Sequence, residues 1–185
     1  MITDPFAAIQ AATRTHRRDH ACKAYTFEDG RALTHVAIAS GASRILELGT
    51  ALGYTACCLA SARPDAHVDT IEGDPLHAAL ARDNIAGAGM AGRITVHTGD
   101  FTEVLARLKL GYGLVFFDGY APDSRLLDAL VEAISPGGTL VCANLGLAST
   151  TRRRHLLAVL NNPERFSSAP SIEDGSTLVR RKFSL

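Results

Sequence analysis

The sequence predicts an open, doubly wound α/β sheet, and three observations carry that expectation. Short runs of strand length, with apolar residues at 45, 46 and 48, at 68 and 71, and at 114–117, alternate with segments of helical length. The first run leads into Gly49 and Gly53, and glycine at such a turn lets the backbone approach a ligand closely. An acid stands at or beside the end of each run, as Glu47, Glu72 and Asp118, and open α/β sheets bind ligands at the carboxyl ends of their strands.

Taken in order, Asp4-Pro5 reads as an N-cap followed by proline at the first helical position, with Phe6, Ile9 and Thr13 on one face. Arg14, His16, Arg17 and Arg18 crowd the end of that helix, where positive charge suits the macrodipole. The basic end is a solvated face, a lid over the substrate, or an RNA contact. Residues 21–27 carry no clear pattern, and residues 30–39 read as a helix that turns at Gly41 into the first strand.

That strand and its turn read RILELGTALGYT, residues 44–55, with a helix following from Tyr54 to Ala60. The pattern is ExGxxxG rather than GxGxxG, so no diphosphate cradle is spelled out. A carboxylate just before the turn suits a cationic or amine-bearing ligand better than a phosphate. Arg63-Pro64-Asp65 breaks the chain, and residues 67–72 form a second strand ending in Glu72. An acid about 20 residues after the glycine turn is placed to accept hydrogen bonds from a ribose diol. Asp74 then caps a helix with Pro75 at its first position and Leu76, Ala79 and Leu80 on its inner face, ended by Gly87 and Gly89.

Residues 93–97 read as a third strand. Asp100 and Glu103 form a capping-box-like pair for a helix whose inner face is Phe101, Val104, Leu105 and Leu108. Residues 114–117 are a continuous apolar run, hence a strand buried on both faces, with Asp118 at its end as the leading catalytic acid. A helix starting at Asp123 or Ser124 follows, with Leu126, Leu127, Leu130, Val131 and Ile134 as its stripe. Ser135 to Gly138 is a turn, residues 139–143 a fifth strand ending at Asn144, and residues 150–160 a helix with Arg152, Arg153 and Arg154 near its start. Strand-like stretches at 166–172 and 177–183 flank a turn at 173–176.

With 185 residues and zero net charge, the chain suits one domain, of which residues 1–29 form a helical lid segment, and has no obligate polyanion partner. No apolar run approaches the ~18 residues of a membrane span, and no signal core stands at the N-terminus, so a cytoplasmic setting is expected. The four cysteines show neither metal spacing nor a disulfide framework, and Cys57 and Cys58 read as small packing residues.

Three segments share a further likeness. ELGTALGYT, IEGDPLHAALARDNI and SPGGTLV resemble, in register, motifs of the class I S-adenosylmethionine-dependent methyltransferases. They are closest to the small-molecule O-methyltransferase branch that includes the catechol and caffeoyl-CoA enzymes. The resemblance covers residues 30 to the C-terminus. It implies a Rossmann-like, mostly parallel seven-stranded sheet with helices on both faces and an antiparallel C-terminal hairpin. It also implies S-adenosylmethionine over the first strands and a small-molecule oxygen acceptor. Carried over by motif, Glu47 lies near the methionine moiety; Gly49, Thr50 and Gly53 shape the turn; Tyr54 and Thr55 sit beside the cofactor. Glu72 and Gly73 meet the ribose, and Asp100 and Phe101 the adenine end.

In metal-using relatives the ion is held by an acid after the fourth strand and an Asp-Asn pair after the fifth. Asp118 and Asn144 match two of these, but Ala143 replaces the other acid and Ala121 a customary lysine. One carboxylate and one amide make a poor magnesium cage, so no metal is assigned. Asp118 and Asn144 are expected to orient the acceptor directly, with Tyr120, His20 and Asp118 as candidates to deprotonate it. Rival readings are an RNA-modifying methyltransferase using Arg14, Arg17, Arg18 and the 152–154 cluster, a nicotinamide oxidoreductase, and a non-catalytic cofactor-binding module. The chain has little insertion to cap its pocket, so the pocket is either open or completed by a second subunit, as in a homodimer.

Overall fold

The structure, a computed structural model, describes residues 4–173 and 176–183. Its elements run α1 (Ala7–His20), α2 (Gly30–Ser40), β1 (Arg44–Leu48), α3 (Tyr54–Ser61), β2 (His67–Glu72), α4 (Pro75–Gly87) and β3 (Ile94–Thr98). They continue with α5 (Phe101–Leu105), β4 (Tyr112–Phe117), α6 (Ser124–Ala133), β5 (Ile134–Cys142), a single 3₁₀ turn (Leu145–Leu147), α7 (Thr150–Leu160), β6 (Phe166–Ile172) and β7 (Thr177–Lys182). The seven strands form one sheet in the order β3-β2-β1-β4-β5-β7-β6. Pairings among β1 to β5 are parallel, while β7 runs antiparallel between β5 and β6. The order reverses between β1 and β4, so a crevice opens beyond their carboxyl ends.

Alternation along the central strands builds two cores. Ile45, Val68, Leu114, Phe116 and Val141 face one side and pack with α1 to α4; Leu46, Leu48, Val115, Phe117 and Leu140 face the other and pack with α5 to α7. Being covered on both faces is why β4 reads as an unbroken apolar run from Leu114 to Phe117. On α6, Leu127 and Leu130 are fully buried, each contributing about 1.5–3 kcal/mol of burial energy. Cys57 and Cys58 pack inside the first core and form no disulfide.

Four sequence expectations need correction. Helix α1 begins at Ala7, with Phe6 at its cap position, rather than at Pro5; Asp4 still makes a capping-type bond, its Oδ1 accepting the Phe6 amide at 2.8 Å, while its Oδ2 accepts the Tyr54 hydroxyl. On α4 the inner face is Ala78, Ala81 and Ile85, with His77 also buried, while Leu76 is 56% exposed. Close approach of α4 to the sheet favours small side chains there, which hydrophobicity alone does not reveal. Ser135 to Gly138 is not a turn before β5 but lies within it: Ile134 already pairs with Tyr112, and pairing resumes at Leu114 with Thr139. Ile134 accordingly belongs to β5 rather than to the α6 stripe. The turn expected at 173–176 includes Asp174 and Gly175, which lie outside the described residues.

Candidate active site

The chain leaves β1 through a turn that demands unusual backbone. Gly49 has φ +104°, and a Cβ there would meet the Asp118 carbonyl carbon and oxygen at 3.1 Å. Gly53 has φ +96°, and a Cβ would press on Ile85. Between them Ala51 takes φ +45° without being glycine, a strained conformation of the kind held at functional sites. Its amide donates to Glu72 Oε2 at 2.8 Å, and the Asp74 amide donates to Oε1 at 3.0 Å. Glu72 is thereby fixed at the end of β2 with its carboxylate against the glycine turn.

Glu47 is fully buried in the middle of the sheet. Thr70 donates to its Oε2 at 2.5 Å, and Thr50 lies 2.6 Å from the Thr70 hydroxyl. Thr70 has one proton, so with Glu47 ionised Thr50 donates to Thr70 and Thr70 to Glu47. Glu47 Oε1 remains buried without a partner. Burial pushes the Glu47 pKa up to about 7, with the nearby Thr55 hydroxyl and the Thr70 bond opposing and the Glu72 charge adding to the rise. Thr70, on β2, went unnoticed in the sequence because a threonine inside a strand looks like ordinary β-propensity.

At the end of β4, Asp118 lies half-buried beside Gly119. Burial raises its pKa well above its ordinary value, helped by the charges of Glu47 and Glu173, while the bond from Asn144 opposes the rise. Asn144 Nδ2 donates to Asp118 Oδ1 at 3.0 Å and approaches the Asp118 and Gly119 carbonyls at 3.4 and 3.3 Å. Asn144 has φ +62°, a left-handed conformation that asparagine tolerates better than most side chains. Glu47 and Asp118 are thus two carboxylates in each other's field, and among the described residues neither is in an ion pair.

The crevice over the turn is narrow. Gly49, Thr50, Ala51, Leu52, Tyr54, Thr55 and Asp118 line its floor, and Thr13, Tyr25, Thr26 and Phe27 cover it. The covering segment was illegible in sequence; its signal is Phe27, whose ring meets Phe116 edge-on at 5.3 Å. Tyr54 lines the crevice, but its hydroxyl is bound to Asp4. Asp100 caps α5 by accepting the Thr102 and Glu103 amides, both through Oδ1, and is exposed with its second oxygen uncommitted. Phe101 packs against Phe117 at 6.2 Å. Gly73 is exposed between Glu72 and Asp74.

Two candidate bases stand elsewhere. Tyr120 is 67% exposed and donates to the Leu147 carbonyl at 2.8 Å. His20, at the end of α1, is exposed and stacks with His16. A magnesium cage does not fit the residues present. Asp118 is turned onto the amide of Asn144, and the neighbouring Ala143 and Ala121 are buried and bear no donor.

A family model described as a methyltransferase domain matches residues 46–145, from β1 to just past Asn144. The chain is 34% identical over 120 residues to a catechol O-methyltransferase of Niastella koreensis, covering 62% of this chain and 54% of that one. It is 39% identical over 97 residues to a catechol O-methyltransferase of Mycobacterium tuberculosis, covering 51% and 44%. The chain thus spans about half the length of these curated relatives. Its fold is similar to the crystal structure of the O-methyltransferase TomG from Streptomyces achromogenes in complex with SAM (TM-score 0.83, 22% identity, 100% of this chain and 92% of that one). It is similar also to an O-methyltransferase from Bacillus cereus in complex with SAH (TM-score 0.80, 20% identity, 98% and 93%). With its family model matched across the whole parallel part of the sheet, this chain belongs to the methyltransferase-domain family.

Proposed function

We propose that this chain is an S-adenosylmethionine-dependent methyltransferase acting on an oxygen of a small-molecule acceptor. One observation carries the reading. A carboxylate, Glu47, is fully buried two residues before the glycine turn with one oxygen unpartnered and, among the described residues, no cationic side chain paired with it. Burying an unpaired charge is costly, and a positively charged ligand in the crevice offsets that cost. The acid at the end of β2 and the lack of a GxGxxG cradle fit a nucleoside without a pyrophosphate.

When bound, the cofactor supplies a methyl group on a sulfonium, already a strong electrophile. The protein's residues then bind and align. Glu47 faces the positive end, Glu72 accepts hydrogen bonds from the ribose hydroxyls in place of the Ala51 and Asp74 amides, and Asp100 offers its uncommitted oxygen to the adenine amine. Segment 25–27 excludes water from above. Asp118 accepts the proton of the acceptor hydroxyl, a role for which a raised carboxylate pKa suits it. Asn144 holds Asp118 in place.

The names of the curated relatives favour a hydroxylated aromatic acceptor. Action in the cytosol is consistent with there being, among the described residues, no helix long and apolar enough to cross a membrane. The test is transfer of labelled methyl from S-adenosylmethionine to a panel of catechols and phenols, with and without magnesium. The reading expects a labelled ether product that forms in the presence of a chelator. Cofactor binding with no transfer to any hydroxyl compound would reduce the chain to a binding module.

A further inference from the structure

Beside the crevice, three side chains from distant parts of the chain converge. His16 on the last turns of α1, Cys22 just past its end and His77 on α4 each place one ligand atom within 4.8 Å of the other two. The cluster is the one such group among the described residues. The His16 ring stands edge-on to His77 at 5.3 Å and 4.5 Å from His20, one helical turn further on. His16 Nε2 is buried and has no hydrogen-bond partner. A buried imidazole nitrogen left unpaired costs about 1–3 kcal/mol, so the arrangement lacks a group that accepts its lone pair or proton.

Other features fit the same missing group. Cys22 is brought back toward His16 by Ala21, which caps α1 at φ +49°. That is a conformation alanine adopts only at a cost of about 1–2 kcal/mol. His77 Nδ1 lies 4.0 Å from Glu72 and 3.9 Å from Asp74, too far for a hydrogen bond but with both carboxylates on the side of the ring that a metal-bound Nε2 would leave free.

We propose that His16, Cys22 and His77 form a binding site for a zinc-type divalent ion, with His20 or a water in the fourth position. Two imidazoles and a thiolate are borderline-soft donors that select zinc over magnesium or calcium. Bond lengths of about 2.0–2.3 Å require the three side chains to close by rotation, and on binding Cys22 releases its thiol proton to solvent. The ion would tie α1 and the bend at 21–22 to α4 beside Glu72, holding the segment that covers the crevice. This site is separate from Asp118 and Asn144 and does not depend on the proposed reaction.

The experiment is titration of the chelator-treated, tag-free full chain with Co²⁺ alone, read by absorption, then displacement by Zn²⁺. Expected is one equivalent of Co²⁺ with a thiolate-to-cobalt charge-transfer band, lost in Cys22→Ser and weakened about tenfold or more in His77→Gln, but retained in Asp118→Asn. The other three cysteines are buried, so a band in the folded wild type reports Cys22 even if the variants fold poorly. Absence of the band in wild type, or the same band in Cys22→Ser, overturns the proposal.

Discussion

Asn144 Nδ2 lies 3.0 Å from Asp118 Oδ1, joining the ends of β4 and β5 across the mouth of the crevice. The amide leans on a carboxylate whose pKa burial has raised, and its own backbone is left-handed. If Asp118 takes the acceptor's proton, Asp118→Asn should lower kcat about 10²–10⁴-fold. The dissociation constant for the cofactor should stay within about threefold of wild type, because one pKa unit of lost interaction already corresponds to tenfold. Single-turnover kinetics beside calorimetry check this, and equal losses in both would assign Asp118 to cofactor binding instead.

Glu47 gives a pH prediction. Its folded pKa is about 7 against about 4.3 in an unfolded chain. The native state therefore favours the protonated acid. The stability this confers is full below the unfolded pKa and is lost as pH rises toward 7 and beyond. Glu47→Gln should remove that dependence, gaining on wild type by about 3 kcal/mol at most between pH 4.5 and 8. Urea unfolding of the ligand-free protein at both pH values measures it; parallel stability curves for the two proteins would refute it.

Two small residues in the turn should respond oppositely. Gly49→Ala forces a Cβ to 3.1 Å from the Asp118 backbone at φ +104° and should cost about 1–3 kcal/mol. Ala51→Gly relieves a left-handed alanine and should be neutral or stabilising by up to about 1 kcal/mol. Thermal unfolding distinguishes these signs.

Tyr54→Phe breaks the bond to Asp4. It should lower stability by about 1 kcal/mol while leaving cofactor affinity nearly unchanged, since the hydroxyl is not presented to the crevice. A large loss of affinity would show that the ring turns on binding.

Much of this was legible in the residues. Strand ends announce themselves because buried parallel strands are rich in apolar residues, and an acid at or beside such an end stands out against them. Glu47, Glu72 and Asp118 were readable for that reason, and Asn144 because a polar residue ends β5. Contacts made by ordinary-looking residues stayed hidden. Thr70 reaches Glu47 only through the register of β1 and β2. The phase of α4 follows from close packing of alanines, which resembles surface composition. Segment 21–27 has no periodicity, since Gln10 binds the Phe27 carbonyl and tertiary contacts shape it. The convergence of His16, Cys22 and His77 depends on topology and leaves no spacing motif.

The central claim is that Glu47 and Glu72 together hold a positively charged nucleoside at the glycine turn. Calorimetric titration of the wild type, Glu47→Gln and Glu72→Ala with S-adenosylmethionine tests it most directly, with NAD as a control. The account predicts one-to-one binding of S-adenosylmethionine, weakened about tenfold or more by each substitution, as expected for a lost hydrogen bond to a charged group, and no binding of NAD. Binding of NAD instead, or S-adenosylmethionine affinity indifferent to both carboxylates, would contradict it.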